Sequence, residues 1–303
     1  LIYSLLHLFN YGLTMEDLQG FRQWNSLTPG HPEFGHTDGI DVTTGPLGSG
    51  FSSAVGMAIA NRYFAARTGL DKSGIYNNKI FIVSGDGCMM EGCTSESASL
   101  AGHLKLDNII VFYDDNSITI EGNTNLAFSE DVEARFKSYN WRVLKCDNAN
   151  DVEECDKVLA EAVKSDGRPT LIIGKTVMGK GALKADCSSY ENNCATHGAP
   201  LGGDAYINTI KNLGGDPENP FQIFPEVQEL YAKRAAELEK IVAEKYAAKG
   251  AWAAENPDLA VKMAEWFAGK QPTIDWDSIE QKADAPTRNA SAHILGILAE
   301  NYE

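Results

Sequence analysis

Three short apolar runs, Ile80-Phe81-Ile82-Val83, Ile109-Ile110-Val111-Phe112-Tyr113 and Leu171-Ile172-Ile173, limit what this chain can fold into more than any other feature. Each is unbroken, rich in β-branched or aromatic residues and bounded by Gly, Asp or Asn, the pattern of a strand buried on both faces. Stretches of helical character lie between them: Met89 to Leu106, Val132 to Tyr139 and Val152 to Lys164. Buried strands that alternate with helices predict an α/β fold, a doubly wound parallel sheet with helices on both faces.

A chain of 303 residues with 43% hydrophobic side chains can bury one large core or two modest ones. Its formal charge of −16 argues against nucleic acid or an anionic membrane as partner, because phosphate backbones select basic faces. Any phosphate ligand has to be met by local groups. No apolar run reaches the ~18 residues that a membrane-spanning helix needs. The six cysteines form no C-x-x-C pair, which predicts reduced thiols and a cytoplasmic setting, and offers no zinc site.

The opening Leu1 to Phe9 is apolar without a basic leader or a cleavage site, and reads as a helix entered midway. Ala290 to Tyr302 reads as the first turns of a helix with no stop signal, so both termini are expected to be cuts. Residues 182–204 form a long Gly- and Asn-rich loop of the kind that often carries function. Residues 225–267 read as two solvated helices separated near Gly250, a helical C-terminal extension, and 271–286 as a linker.

The chemistry concentrates at strand ends. Gly85-Asp86-Gly87 follows the first run directly, and Asp114-Asp115-Asn116 follows the next, about thirty residues later. In a parallel sheet both sets lie at the carboxyl edge, where open α/β sheets bind ligands. Magnesium takes hard oxygen donors and shares its shell with phosphate and water. Asp86 can supply a carboxylate, Asn116 an amide oxygen and Ile118 a backbone carbonyl. Gly87 leaves its amide open to a phosphate at a helix start. Taken singly, either piece also reads as turn residues capping a strand. Together, on consecutive strands, they favour a metal–diphosphate site.

A second element, Thr43-Thr44-Gly45-Pro46-Leu47-Gly48-Ser49-Gly50, opens a helix of small residues whose glycines permit close approach to a ligand. It lacks the dinucleotide fingerprint, since Ser53 stands where the last glycine belongs. Of the six histidines, His7, His36, His103 and His293 read as structural. His31, in Thr28-Pro29-Gly30-His31-Pro32-Glu33, and His197, in the long loop, suit proton transfer near neutral pH, although a lone loop histidine is more often simply solvated.

Four stretches carry a resemblance to the transketolase family over nearly the whole chain: Phe21-Arg22-Gln23 with Thr28 to Glu33, Thr43 to Gly50, Gly85 to Gly92, and His197-Gly198-Ala199-Pro200-Leu201. The resemblance implies the thiamine-diphosphate-binding fold, with residues 1–267 as the diphosphate-binding domain, 268–286 as a linker and 287–303 as the start of the pyrimidine-binding domain. It implies thiamine diphosphate and Mg2+, or Ca2+ or another divalent cation, as cofactors. Asp86, Asn116 and Ile118 would hold the metal, and Gly87 would contact the diphosphate. Gly45, Pro46 and Leu47 would line the coenzyme site. His31 would bind the donor hydroxyls and His197 would sit between diphosphate and substrate. Arg288 would bind the sugar phosphate, though on its own it reads equally as a surface charge at a helix start. Glu91 would face a homodimer interface. The implied activity is transfer of a two-carbon ketol unit from a ketose phosphate to an aldose phosphate. A dihydroxyacetone synthase would share these residues, and a split enzyme or a non-catalytic coenzyme-binding subunit is the reading from another class. Two upstream histidine motifs of the family and the glutamate of its second domain are absent from the sequence, and the loop from Cys187 to Cys194 departs from the usual pattern.

Overall fold

The three apolar runs pair in parallel, as their pattern predicts, and a fourth strand joins them. The computed structural model describes residues 1–70 and 74–301. In chain order its elements are α1 (Ile2–Leu8), α2 (Met15–Gln19), α3 (Ser49–Thr68), β1 (Ile80–Gly85), α4 (Asp86–Met90), α5 (Gly92–His103), β2 (Ile109–Asp115), β3 (Ile118–Thr119), β4 (Gly122–Asn123), α6 (Val132–Ser138), β5 (Arg142–Cys146), α7 (Val152–Ala162), β6 (Thr170–Lys175), α8 (Gly203–Asn212), α9 (Pro225–Glu255), α10 (Pro257–Phe267) and α11 (Thr287–Asn301). The main sheet runs β1-β2-β6-β5, and all its pairs are parallel. The chain divides into two units, 1–245 and 246–303.

Strand parity separates two cores in the first unit. Ile82, Ile109, Val111, Tyr113 and Leu171 meet Phe51, Ala58, Ala98, Ala101, Phe136 and Trp141 on one face. Ile110, Phe112 and Ile172 meet Ala162, Val158 and Leu159 of α7 on the other. Helices therefore cover both faces of β2 and β6, whereas β1 at the sheet edge is buried on one face only: Phe81 and Val83 are exposed, against the expectation for that apolar run. On the first face α3 and α5 come close because they present small residues: Ala58, Ala98 and Ala101 are fully buried. A Cβ on Gly102 would overlap the carbonyl oxygen of Tyr139, so α5 touches the turn before β5 at backbone distance. The indole of Trp141 donates to the carbonyl of Ala98 there, at 2.8 Å.

Several expectations are corrected. The helix expected from Met89 to Leu106 begins at Asp86, breaks at Glu91, whose ψ is 138, and resumes at Gly92. Strand β5 was not foreseen. It lies at the sheet edge, where polar Arg142 and Lys145 are tolerated, and its pairing with β6 rather than an apolar run makes it a strand. The break expected near Gly250 falls instead at Asn256-Pro257, with Pro257 opening α10. A glycine inside a helix costs only about 1 kcal/mol, whereas proline lacks the amide and suits a first turn. Helix α11 ends at Asn301, and Tyr302 lies outside the described residues. In the second unit Trp252 and Met263 are the buried side chains. No helix among the described residues is long and apolar enough to cross a membrane.

Candidate metal and diphosphate site

Parallel register places the two predicted motifs side by side. Gly85 at the end of β1 is paired with Asp114 at the end of β2, so Asp86 leaves the sheet beside Asp115 and Asn116. Asp86 is 4% exposed. Its Oδ1 accepts from the Tyr113 hydroxyl at 2.6 Å and its Oδ2 from the Ser117 amide at 3.1 Å. Among the described residues no Lys or Arg pairs with it. Burial raises its pKa, the Tyr113 hydrogen bond opposes that rise, and the nearby Asp115 adds to it. A buried carboxylate without a cationic partner is costly, and a bound cation is the ordinary remedy.

The β2–β3 turn supplies the other donors. Ser117 adopts φ 62, a left-handed backbone that serine rarely takes, and this turns its amide onto Asp86. The side-chain oxygen of Asn116 accepts from the Ile118 amide at 2.9 Å and keeps a second lone pair. Thr124 donates to the carbonyl of Ser117 at 3.0 Å, and Ile118 is paired with Asn123 one step further along the ladder. Antiparallel pairs alternate between hydrogen-bonded and open positions. The carbonyl of Ile118 therefore points away from β4 and is available to a cation.

The donor set fits a hard cation shared with a ligand. One carboxylate, one amide oxygen and one carbonyl leave room in an octahedral shell for phosphate oxygens and water. No cluster of three or more His, Cys, Asp or Glu suited to a metal exists among the described residues, so no closed all-protein cage competes with this arrangement. The first amides of α4, including that of Gly87, lie at the same strand end and have no partner within the helix. Arg135 steadies that short helix: its guanidinium donates to the carbonyl of Met89 at 2.9 Å and to the Ser95 hydroxyl at 3.1 Å.

The small-residue loop closes over Gly87. A Cβ on Gly87 would stand 3.1 Å from Leu47 Cδ1, and one on Gly45 would stand 3.2 Å from the ring of His31. Pro46 is tied in by its carbonyl, which accepts from the Ser49 amide and hydroxyl at 3.2 and 2.7 Å. His31 is exposed, but the segment before it is pinned. Thr28 is fully buried and donates to Asp17 O at 2.7 Å, Tyr3 donates to Pro29 O at 2.7 Å, and Thr44 N donates to Pro32 O at 3.1 Å. His31, Gly45, Leu47, Gly87, Asp86, Asn116 and Ile118 thus form one continuous line of neighbours.

Two predicted residues stand outside that line. His197 is exposed at the end of a one-turn 3-10 helix (Cys194–Thr196), and no side-chain hydrogen bond among the described residues ties it to the others. Arg288 is exposed on the first turn of α11, in the second unit. His7 and His36 are structural, bound to the carbonyls of Leu13 and Ser26 at 2.7 and 2.9 Å. All six cysteines are free thiols. Sequence reasoning passed over Tyr113, Ser117 and Arg135. Only a tyrosine placed at the very end of an apolar strand gave a signal for the first of them.

Asp86 and Tyr113 also border a cavity of about 350 Å³ whose walls include Asp115, Glu130, Asp131 and Asp147, with Lys145 and Lys175. Neither Asn116, Ile118, Gly87 nor Leu47 lines it, and its acidic walls are unsuited to a diphosphate.

Comparison with known proteins identifies the family and the fold. The family model described as "Transketolase, thiamine diphosphate binding domain" matches residues 1–272. The chain is 42% identical to a transketolase of Geobacillus stearothermophilus over 312 aligned positions, covering 99% of this chain and 45% of that protein. It is 45% identical to a transketolase of Kluyveromyces lactis, covering 92% of this chain and 40% of that protein. A solved transketolase from Leishmania mexicana superposes with a TM-score of 0.87 at 36% identity, covering 98% of this chain and 44% of the other. A Pichia stipitis transketolase structure in complex with xylulose-5-phosphate gives 0.88 at 39%, covering 99% and 44%. The chain spans less than half the length of the relatives it matches. With the parallel sheet, the paired strand-end motifs and this match in hand, the chain belongs to the transketolase family, within its thiamine diphosphate binding domain.

Proposed function

We propose that this chain binds thiamine diphosphate through a divalent cation, Mg2+ in the first instance, and forms the diphosphate-binding part of an enzyme that transfers a two-carbon ketol unit between sugar phosphates. The observation that carries the reading is the buried carboxylate of Asp86, which forms no ion pair with Lys or Arg among the described residues and has oxygen donors of Asn116 and Ile118 on the adjacent turn.

Asp86, Asn116 and Ile118 would hold the cation, and the open amides of α4, with Gly87 among them, would meet the diphosphate. Gly45, Pro46 and Leu47 would bound the coenzyme on the side of the loop. The coenzyme, when bound, supplies the electron sink for carbon–carbon cleavage. The chain's own part is to bind, orient and move protons. His31, held by its pinned segment against Gly45, would position donor hydroxyls by hydrogen bonding. His197 would join it from the long loop, and imidazole is a side chain suited to proton transfer. Arg288 would bind the sugar phosphate by its planar fork of donors. We assign residues 1–267 to the diphosphate-binding domain, 268–286 to a linker and 287–303 to the pyrimidine-binding domain. Homodimerisation with Glu91 at the interface, and a cytoplasmic location, complete the proposal.

Calorimetric titration with thiamine diphosphate in the presence of Mg2+ tests it. The parent chain is expected to bind only with the cation present, and Asp86→Ala is expected to abolish binding because the one carboxylate ligand is gone. Unchanged affinity in Asp86→Ala would count decisively against the site.

A further inference from the structure

The turn between β5 and α7 brings two cysteines together. Cys146, the last residue of β5, is fully buried in the core it shares with Ile110, Ala162 and Ile172. Cys155, on the first turn of α7, packs against the same core and stays partly exposed. Their sulfurs lie 3.8 Å apart. The backbone on both sides is fixed: Cys146 is paired with Gly174 of β6, the Ala149 amide donates to Lys175 O at 2.8 Å, and Asp151 caps α7 by accepting from the Glu153 amide at 2.9 Å. Sheet register and a capped helix therefore set the sulfurs opposite each other. Burial, and after it the neighbouring Cys155 sulfur, raises the pKa of Cys146. Cys146 is thereby kept a neutral thiol, and Cys155 is the sulfur that an oxidant in solution reaches first.

We propose that Cys146 and Cys155 form a peroxide-responsive pair that closes reversibly to a disulfide. The Cys155 thiolate attacks one oxygen of hydrogen peroxide, the O–O bond breaks, and the leaving hydroxide takes up the proton that Cys155 has lost, giving water and a sulfenic acid. The Cys146 sulfur then attacks the Cys155 sulfur, the S–O bond breaks, and the hydroxide departs as water with the Cys146 proton. In sum the two thiols give up two electrons and two protons, and one peroxide is reduced to two waters. To bond, the sulfurs have to close about 1.8 Å. That movement falls to Cys155, because Cys146 is enclosed. A sulfenic acid with no thiol beside it goes on to the irreversible sulfinic acid, so Cys146 keeps the oxidation of Cys155 reversible. A pair that rests reduced and is oxidised only transiently is the usual form of disulfide chemistry in a reducing compartment.

The test is exposure of the whole folded chain to hydrogen peroxide, followed by alkylation with iodoacetamide in urea and peptide mapping by mass spectrometry, with and without prior reduction by dithiothreitol. Expected is joint loss of alkylation at Cys146 and Cys155, a cross-linked peptide that contains both, and return of both thiols on reduction. Cys155→Ser should leave Cys146 open to alkylation after the same treatment. In Cys146→Ala, with circular dichroism to monitor folding, Cys155 should accumulate as a sulfinic acid that dithiothreitol does not restore. Cross-linking of either residue to another cysteine, sulfinic acid at Cys155 in the parent chain, or a Cys155 that peroxide leaves untouched would overturn the pairing. Should Cys146→Ala fail to fold, the parent chain and Cys155→Ser decide alone, and oxidation of Cys146 in Cys155→Ser would overturn the proposal.

Discussion

Replacing Gly48 by alanine tests how the loop from Thr43 to Gly50 is seated. Gly48 has φ 77 and is the residue from which α3 departs. A Cβ there would stand 2.6 Å from Cys93 Sγ, 2.8 Å from Thr94 Oγ1 and 2.9 Å from Glu91 Cβ. The left-handed backbone costs an alanine about 1–2 kcal/mol. Crowding against three neighbours adds roughly 1–3 kcal/mol, since Thr94 is fully buried and cannot swing aside. The sum, about 2–5 kcal/mol, is a large part of the ~5–15 kcal/mol that a domain commands. Urea unfolding followed by circular dichroism should show a lower midpoint at unchanged slope. Gly56→Ala on the same helix is the control. It has open space around the added carbon and ordinary helical backbone, so it should stabilise by about 0.5–1 kcal/mol. Because Leu47 rests on Gly87, displacement of the loop should also weaken thiamine diphosphate binding in Gly48→Ala and not in Gly56→Ala. If Gly48→Ala unfolds within about 0.5 kcal/mol of the parent, the left-handed turn does not seat the loop and the reasoning fails.

Two further expectations concern stability. Phe136 is fully buried, edge-on to Trp141 with ring centroids 5.1 Å apart, so Phe136→Ala should cost about 3–5 kcal/mol in chemical denaturation, and a loss below about 2 kcal/mol would mean the cavity collapses. Hydrogen bonds and charge from Arg168 hold Asp166 below the usual carboxylate range, those from Lys164 and Arg142 do so for Glu161, and those from Lys137 and Lys145 for Glu133. Their folded values lie below the unfolded ones, so their stabilisation is present above the unfolded pKa, about 4. It is lost as pH falls through the folded values. The urea midpoint measured against pH should accordingly hold near neutrality and decline below about pH 4, and a midpoint that rises on acidification would contradict the sign.

The sequence by itself determined the parallel sheet and the edge at which its two strand-end motifs meet. Short apolar runs of this kind predict strands, and a Gly-Asp-Gly directly after one run, with Asp-Asn after the next, emerges at the same sheet edge once the runs pair in parallel; burial on both faces holds for β2 and β6 but not for β1, whose Phe81 and Val83 are exposed. The small residues of α3 left both close approach to a ligand and tight packing open; Ala54 and Ala58 are buried, whereas Gly56 is exposed with open space around it. Features that depend on partners distant in the chain were not legible. Strand β5 is half polar and becomes a strand only through β6. The break at Glu91 comes from an extended ψ that no residue type in the run dictates. Tyr113 looked like one more apolar strand residue, and only the tertiary fold turned its hydroxyl onto the buried carboxylate of Asp86. Local pattern fixes periodicity and therefore faces and edges. Which side chains meet across those edges is a matter of register and turn geometry, and these are decided when the whole chain closes on its core.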